Sequence, residues 1–342
     1  MITTINTVEE LEERLSRPSA ADVSVMEKLE GDLLILGAGG KMGPSLAALA
    51  RRAADQAKIK KRIIAASRFN DTKLRGKLED RGIEAIACDL LEPGALAKLP
   101  DASDVIFMAA RKFGTSGSAH LTWAMNTFLP GLVAERFRHA RIVAFSTGNV
   151  YPLGLVSTGG ATESTPVDPQ GEYAQSALGR ERMFEYGSHH WGTRVTILRL
   201  NYAVELRYGV LVDIAQAVLE GRPVDLRMGF VNVIWQGDAN SICLRSLPYC
   251  ASPPLILNLT GPETLSVRQL AHEFGKRFEV EPKFEYEESE TALLSNASKA
   301  HQMFGCPSVN VSEVMEWVAA WVRNGREMLH KPTHFSARDG RF

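Results

Sequence analysis

Short apolar runs alternate with helical stretches through most of the chain. The apolar runs have the length of buried strands and lie at Leu33–Leu36, Ile63–Ala66, Ile83–Cys88, Val105–Ala109, Ile142–Phe145, Val195–Leu198 and Leu255–Leu259. Helical patterns fall between them, for example at Pro44–Ala57, Ser118–Phe137, Glu172–Tyr186 and Tyr208–Leu219. This alternation predicts βαβ units and an α/β fold, with a doubly wound parallel sheet that helices cover on both faces.

The alternation weakens near both ends, which suggests four segments. Thr7 and Glu10 have capping-box spacing before a short helix that Pro18 ends, and we expect a linker from there to Gly31. After Tyr202 the strand–helix rhythm loosens. We therefore expect a helical N-terminal extension, a main α/β domain, a smaller C-terminal lobe with elements returning to the core, and a polar tail that is mobile or used in assembly. These segments span residues 1–31, 32–200, 201–330 and 331–342.

The composition is that of an ordinary globular protein and excludes several classes of function. The 342 residues carry a formal net charge of -1, which disfavours nucleic acid as a partner. No apolar run is long enough to span a bilayer, and the N-terminus does not have the pattern of a signal peptide. The four cysteines form no C-x-x-C pair, so we expect reduced thiols, a cytoplasmic location and no metal site.

A glycine-rich loop follows the first predicted strand. Its sequence is Gly37-Ala38-Gly39-Gly40-Lys41-Met42-Gly43, and a predicted helix begins directly after it. Glycine allows the tight turn and the close approach of backbone to phosphate, and a helix N-terminus offers N–H groups and a positive dipole. A loop in this context predicts a Rossmann-like domain that binds the pyrophosphate of a nicotinamide dinucleotide.

The end of the second predicted strand bears on the choice of dinucleotide. Ser67 and Arg68 stand where an NAD site usually has an acidic residue for the ribose 2′-hydroxyl. A basic residue suits a 2′-phosphate instead, and Lys41 could add further positive charge. These residues favour NADP over NAD, while both remain open.

At this point the chain resembles the extended short-chain dehydrogenase/reductase family, the epimerase and dehydratase type, from about Asp32 to about Asn324. Asp89 and Leu90 resemble the family's turn beside the adenine, and Ala109 and Ala110 resemble the strand end under the cofactor. Asn126 matches an asparagine of the helix behind the active site. The resemblance also implies a homodimer formed through two helices of each subunit, here Ser118–Phe137 and Glu172–Tyr186.

Two residues match the catalytic positions of the family. Thr147, three residues before Val150, corresponds to the catalytic serine or threonine, and Tyr173 corresponds to the catalytic tyrosine, which also contacts the cofactor. By resemblance, Tyr173 moves the proton while Thr147 orients the substrate oxygen. The family's Y-x-x-x-K motif is broken, because Ala177 stands where the lysine is expected, and no Y-x-x-x-K occurs anywhere in the chain.

The missing lysine changes the expected chemistry. In the family this lysine binds the nicotinamide ribose and favours the ionised tyrosine. An ordinary tyrosine has a pKa of about 10, so ionising it at pH 7 takes roughly 4 kcal/mol of electrostatic stabilisation. Reduction of a carbonyl needs the neutral tyrosine as acid and is less affected than oxidation of an alcohol. Arg180 lies on the same helical face as Tyr173 and could supply charge, although a solvated arginine is the favoured interpretation.

The predicted C-terminal lobe carries fewer signals. Asn232 stands near the place where family members that act on nucleotide sugars often carry arginine, which weakens the case for a diphosphate-linked substrate. Arg207 or Arg227 could pair with a carboxylate, but both are expected at the surface.

Two functions remain open from the sequence. The leading hypothesis is an enzyme, an NAD(P)-dependent oxidoreductase or epimerase acting on a sugar-like or sugar-acid alcohol or ketone. The alternative, motivated by Ala177, is a dinucleotide-binding regulatory or assembly protein without redox turnover. A non-redox lyase is a weaker third hypothesis, since no pair of carboxylates stands out.

Overall fold

A computed structural model describes residues 4–112, 117–331 and 333–340. Its strands, in chain order, are β1 (Leu33–Leu36), β2 (Ile63–Ser67), β3 (Glu84–Ala87), β4 (Asp104–Phe107), β5 (Arg141–Thr147), β6 (Gly154–Leu155), β7 (Arg194–Leu200), β8 (Ala203–Val204), β9 (Pro223–Asp225), β10 (Phe230–Val231), β11 (Ile234–Trp235), β12 (Leu255–Leu259), β13 (Leu265–Ser266), β14 (Lys283–Glu285) and β15 (Thr291–Ala292). Seven of them form a central parallel sheet in the order β12-β7-β5-β4-β1-β2-β3. These seven correspond to the predicted strands, so the predicted α/β fold is confirmed.

The helices are α1 (Val8–Leu15), α2 (Ala20–Lys28), α3 (Gly43–Gln56), α4 (Thr72–Glu79), α5 (Ala95–Lys98), α6 (Ala119–Trp123), α7 (Leu129–Arg136), α8 (Gly171–Trp191), α9 (Val210–Leu219), α10 (Gln236–Arg245), α11 (Val267–Phe278), α12 (Ser298–Phe304) and α13 (Val311–Arg323). A π-helical turn, Ala124–Phe128, separates α6 from α7 inside the single predicted helix. Pro130 explains the break, because proline has no N–H to donate to the carbonyl of Asn126, four residues back. Helix α8 continues beyond its predicted end at Tyr186 and stops at Gly192, which has φ +70.

Helices cover both faces of the central sheet. On one face α2, α3 and α10 contribute buried residues such as Met26, Leu46 and Ile242. On the other face α7 and α8 contribute Val133 and Phe184. All four residues of β1 are buried, as expected for a central strand of a parallel sheet.

The N-terminal segment is more ordered than its sequence suggested. Helix α1 begins at the predicted cap, where the side chain of Thr7 accepts from the amide of Glu10. The expected linker to Gly31 is wrong, because α2 lies there and begins with a capping box formed by Ser19 and Asp22. Ser19 follows Pro18 directly, so the residue that ends one helix is followed by the signal that starts the next.

A second hydrophobic core lies outside the sheet. It unites α1, α9, α11 and α13 with the short strands of the later sequence, and these elements form the second lobe. The tail, expected to be mobile or used in assembly, packs on this core over residues 333–340. Thr333 donates to Asp213 through both its amide and its hydroxyl, and Phe335 is buried. The polar composition of the tail therefore gave no sign of its apolar anchor, Phe335, or of its partner, the half-buried carboxylate of Asp213. Within the described ranges, no helix combines the length and apolarity needed to cross a bilayer.

The glycine loop between β1 and α3 is packed closely against its neighbours. Gly37 has φ +88, and a Cβ added to it would lie 2.5 Å from the backbone nitrogen of Ala109. A Cβ on Gly43, the first residue of α3, would lie 2.3 Å from the carbonyl oxygen of Ala38. Both positions therefore require glycine for steric reasons, and Gly37 requires it for its positive φ as well.

We expect Gly37→Ala to lower the free energy of unfolding by about 2–5 kcal/mol, because backbone strain adds to the steric conflict with Ala109. Gly94→Ala is the matched control: Gly94 has φ +75, but no atom lies within 4 Å of an added Cβ, so only the strain of about 1–2 kcal/mol applies. Urea denaturation of both variants measures the difference. Equal losses would contradict the close packing of the loop.

Candidate functional site

Two adjoining cavities lie at the edge of the sheet where its strands end. The inner cavity, of about 310 Å³, is lined by side chains from the ends of β5 and β7, from α8 and from the second lobe. The outer cavity, of about 370 Å³, lies over the ends of β2 and β3. Gly37, Gly40, Met108 and Ala110 line both. This is the edge at which ligands bind in open α/β sheets.

The residues predicted for the site collect around these cavities. The inner cavity is also lined by Lys41, Met42, Thr147 and Tyr173. The outer cavity is also lined by Ser67, Arg68, Asp89, Leu90 and Ala109. Gly43 lines neither cavity, and instead lets α3 start against the backbone of Ala38.

The geometry of the glycine loop fits a bound pyrophosphate. An added Cβ on Gly40 would meet only the carbonyl oxygen of Gly37, at 3.4 Å, so a side chain there would stand in the space that the cavities share. No described residue accepts a hydrogen bond from the backbone N–H of Lys41 or Met42. These amides precede the 14-residue helix α3, whose dipole favours negative charge at this end.

Lys41 lies apart from Arg68. Its Nζ donates to the carbonyl of Ala203 at 2.8 Å and lies 4.2 Å from the centroid of the Tyr208 ring. Both Ala203 and Tyr208 line the inner cavity. Burial lowers the pKa of Lys41 to about 8. The expectation that Lys41 adds charge beside Arg68 is therefore wrong, because its side chain turns toward the second lobe.

In the outer cavity Arg68 is exposed and Ser67 is half-buried. Two carboxylates are nearby, but both are used locally. Asp89 accepts from the amide of Leu91 at 3.0 Å, and Asp71 accepts from the amide of Lys73 at 2.9 Å as the N-cap of α4. The outer cavity thus presents a basic group near the end of β2.

Thr147 and Tyr173 face the same inner cavity. Thr147 is the last residue of β5, and its Oγ1 accepts from the backbone N–H and the side-chain amide of Asn149, at 3.2 and 2.9 Å. Its own hydroxyl proton is then directed elsewhere. Tyr173 lies in the first turn of α8, and Lys112 places its Nζ 5.9 Å from the tyrosine ring centroid.

Asn126 connects the elements around Tyr173. Its Nδ2 donates to the Arg111 carbonyl at 2.9 Å and to Ser176 Oγ at 3.0 Å, and its Oδ1 accepts from the Arg111 amide at 2.8 Å. Ser176 in turn donates to the carbonyl of Tyr173 at 2.9 Å. Asn126 thus joins the segment after β4 to the first turn of α8.

Ala177 and Arg180 are both buried residues of α8. Ala177 is fully buried and packs in a small cluster with Val150 and Tyr151. Arg180, expected in solvent, is 2% exposed and lines the inner cavity. Its Nη1 donates to the Phe145 carbonyl at 2.7 Å, and burial lowers its pKa. The helical period put Arg180 on the correct face, but only tertiary packing shows that this face is covered there.

A buried polar network below the site was not visible in the sequence. Arg199 on β7 binds the carboxylate of Glu181 on α8 through two nitrogens, at 3.0 and 2.7 Å. Arg199 also donates to the Tyr151 hydroxyl at 2.7 Å, and this hydroxyl donates to Asn258 at 2.9 Å. The network fixes α8 against β7 and β12.

The arginines considered for substrate binding have protein partners. Arg227 is exposed and pairs with Asp225 at 2.6 Å, while Arg207 pairs with Glu205 at 3.1 Å. Asn232 is buried, and accepts from Asn201 and donates to the Ser295 carbonyl. Lys112, Tyr208 and Thr333 line the inner cavity instead, and sequence reasoning did not select them.

Solved structures with similar folds include several sugar-nucleotide epimerases. A tyrosine-to-phenylalanine variant of UDP-glucuronic acid 4-epimerase from Bacillus cereus, with NAD and a fluorinated substrate analogue, has a TM-score of 0.73 at 16% identity and covers 86% of this chain and 99% of that chain. UDP-glucose 4-epimerase from Thermus thermophilus with NAD has a TM-score of 0.69 at 18% identity and covers 85% and 99%. At these identities the likeness concerns the fold.

The sequence itself identifies the family. A model of the NAD dependent epimerase/dehydratase family matches residues 33–205, which include the glycine loop, Thr147 and Tyr173. No curated protein sequence matches the chain. The resemblance seen in the motifs and the expectation of an enzyme are both confirmed. The chain belongs to the NAD-dependent epimerase/dehydratase family, within the extended short-chain dehydrogenases/reductases, and carries alanine where the family's lysine is expected.

Proposed function

We propose that this protein is an NAD(P)-dependent oxidoreductase or epimerase that acts on a sugar-like or sugar-acid alcohol or ketone. One observation carries the proposal: the glycine loop, Thr147 and Tyr173 line a single cavity at the end of the sheet. The solved structures with the same fold include complexes of NAD with UDP-sugars, which supports a sugar-like substrate.

The residues around the cavity have separate roles in binding and in proton transfer. The amides of Lys41 and Met42 and the N-terminus of α3 hold the pyrophosphate. A nicotinamide dinucleotide in this cavity supplies the hydride donor or acceptor. Thr147 orients the substrate oxygen by donating a hydrogen bond to it, since the threonine oxygen already accepts from Asn149. Tyr173 exchanges a proton with the same oxygen as general acid or base.

For the cofactor we favour NADP and keep NAD as the alternative. Arg68 in the outer cavity suits a 2′-phosphate, while Asp71 and Asp89 are occupied by backbone amides. The solved structures of similar fold were obtained with NAD, which supports the alternative.

The charge of the inner cavity favours an anionic substrate. Its described lining residues include the cations Lys41, Lys112 and Arg180 and no carboxylate. Lys112 lies over the Tyr173 ring and is therefore close to the reacting centre. Arg207 and Arg227 are held by carboxylates of the protein, which disfavours their use for a diphosphate. A sugar acid without a nucleotide fits these features better than a nucleotide sugar.

We also propose a homodimer. The helical segment α6–α7 and α8, through which the family commonly dimerises, expose large apolar side chains at Leu121, Phe128 and Tyr186, which are 41%, 59% and 55% exposed. Exposed apolar side chains on neighbouring helices are a feature of subunit interfaces.

A binding protein without turnover remains the second candidate. Ala177 supports it, because no cation can reach Tyr173 from that position and the residue is fully buried. The two candidate functions differ in whether activity requires the hydroxyl of Tyr173.

We expect Tyr173→Phe to lower kcat by roughly 10²–10⁴, because the proton donor is lost. Its Kd for NADP and NAD should rise about tenfold at most, since at most one hydrogen bond to the cofactor is lost, and NADP should remain the tighter ligand. Turnover of a panel of sugars, sugar acids and ketones, together with dinucleotide titrations, measures both effects. Tyr249→Phe, at an exposed tyrosine outside both cavities and outside the proposed interface, is the control. Full activity of Tyr173→Phe, or no turnover by the wild type, would favour the binding protein.

Lys112→Gln should raise the KM for a sugar acid about tenfold and leave that for an uncharged sugar unchanged. Burial lowers the pKa of Lys112 to about 8, so its charge is present below this pH and is lost above it. Binding of the acid to the wild type should therefore weaken as pH rises through about 8. This dependence should be smaller in the variant, in which Lys41, whose pKa is also about 8, still lines the cavity. Lys98→Gln, an exposed lysine away from the cavities, is the control. A pH-independent KM for the wild type would argue against the anionic substrate.

Light scattering should give the mass of a dimer for the wild type and of a monomer for Phe128→Glu, which places charge in the proposed interface. Leu155→Glu is the matched control, since Leu155 is 50% exposed but lies on β6. A monomeric wild type would refute the proposed assembly.

A further inference from the structure

The guanidinium of Arg180 is buried beside the inner cavity without a full set of partners. Its Nη1 donates to the carbonyl of Phe145, but its Nε and Nη2 are buried, and no described residue accepts a hydrogen bond from them. Most buried polar groups in folded proteins have a partner. The two unmatched nitrogens therefore point to an acceptor that is not part of the chain.

The protein offers Arg180 no carboxylate of its own. Glu181 is adjacent in sequence, but its carboxylate is bound by two nitrogens of Arg199. No Asp or Glu of the described chain forms an ion pair with Arg180. A buried guanidinium without a counter-charge destabilises the folded protein, because desolvation is not compensated. Such a cost is typical of residues that serve a ligand.

The helix directs Arg180 toward Tyr173. At 3.6 residues per turn, position 180 is rotated by roughly 20° from position 173, whereas position 177 is rotated by roughly 40° in the other direction. Side chains on a helix lean toward its N-terminus, so the long side chain of Arg180 extends toward the turn that carries Tyr173. Ala177 instead packs against Val150 and Tyr151.

We propose that Arg180 donates hydrogen bonds to the nicotinamide half of the bound dinucleotide and takes the place of the lysine that is absent at position 177. The inner cavity, which Arg180 lines, is continuous with the glycine loop through Gly37 and Gly40. The inference rests on the proposed dinucleotide binding. Arg180 is a binding and positioning residue, and it acts on Tyr173 by fixing the cofactor beside it.

The test compares Arg180→Gln with the wild type in titrations with NADP and with adenosine 2′,5′-bisphosphate, which is the adenine half of the cofactor alone. Glutamine retains an amide donor for the Phe145 carbonyl but removes the charge and the remaining donors. We expect the Kd for NADP to rise about tenfold or more, which corresponds to about 1.4 kcal/mol, and the Kd for the adenine half to stay constant. The melting temperature should stay constant or rise, since an uncompensated buried charge is removed.

Arg182→Gln is the matched control, because Arg182 lies on the same helix but is exposed and paired with Glu185. An unchanged Kd for NADP in Arg180→Gln, or equal weakening of both ligands, would overturn the role of Arg180. If Arg180→Gln does not fold, Arg180→Lys decides: it keeps the charge without the planar set of donors, and a wild-type Kd for NADP would likewise overturn the inference. A wild type that binds neither ligand would instead refute the proposed function itself.

Discussion

The backbone contact between Gly37 and Ala109 sets the spacing of the candidate site. These residues follow β1 and β4, which are adjacent and parallel, so their chains leave the sheet at the same edge. With no side chain at Gly37, the glycine loop lies directly beside Met108 and Ala110, and the two cavities meet at this point. A side chain at Gly37 would separate the loop from β4 and widen the place where phosphate is expected to bind.

Helix α8 is the second fixed element, and its position depends on buried polar groups. The pair formed by Glu181 and Arg199 ties the middle of the helix to β7, and Asn126 ties its first turn to the segment after β4. Buried ion pairs contribute little net stability, but breaking one is strongly destabilising. Their effect here is geometric, because they hold Tyr173 in the lining of the inner cavity, which Thr147 also lines.

The replacement of the family's lysine by Ala177 is local. The fold agrees with that of epimerases at 16–18% identity, and the glycine loop, Thr147 and Tyr173 lie around common cavities. The distribution of positive charge departs from the family's pattern, in which position 177 is a lysine. Position 177 has joined a small hydrophobic cluster, while Lys41, Lys112 and Arg180 surround the inner cavity. Membership of the family therefore does not determine how this site binds its ligands.

The seven strands of the sheet, their alternation with helices and the glycine loop were predictable from the sequence alone. They depend on local periodicity and on residues next to one another in the chain. The same local information contains the capping box formed by Ser19 and Asp22. Other features depend on the packing of distant segments. Segments far apart in sequence bury Arg180 and direct Lys41 toward Ala203. The same long-range packing places Lys112 and Thr333 in the lining of the inner cavity and buries Phe335 of the tail. Periodicity shows which face of a helix a residue occupies, but only packing decides what covers that face.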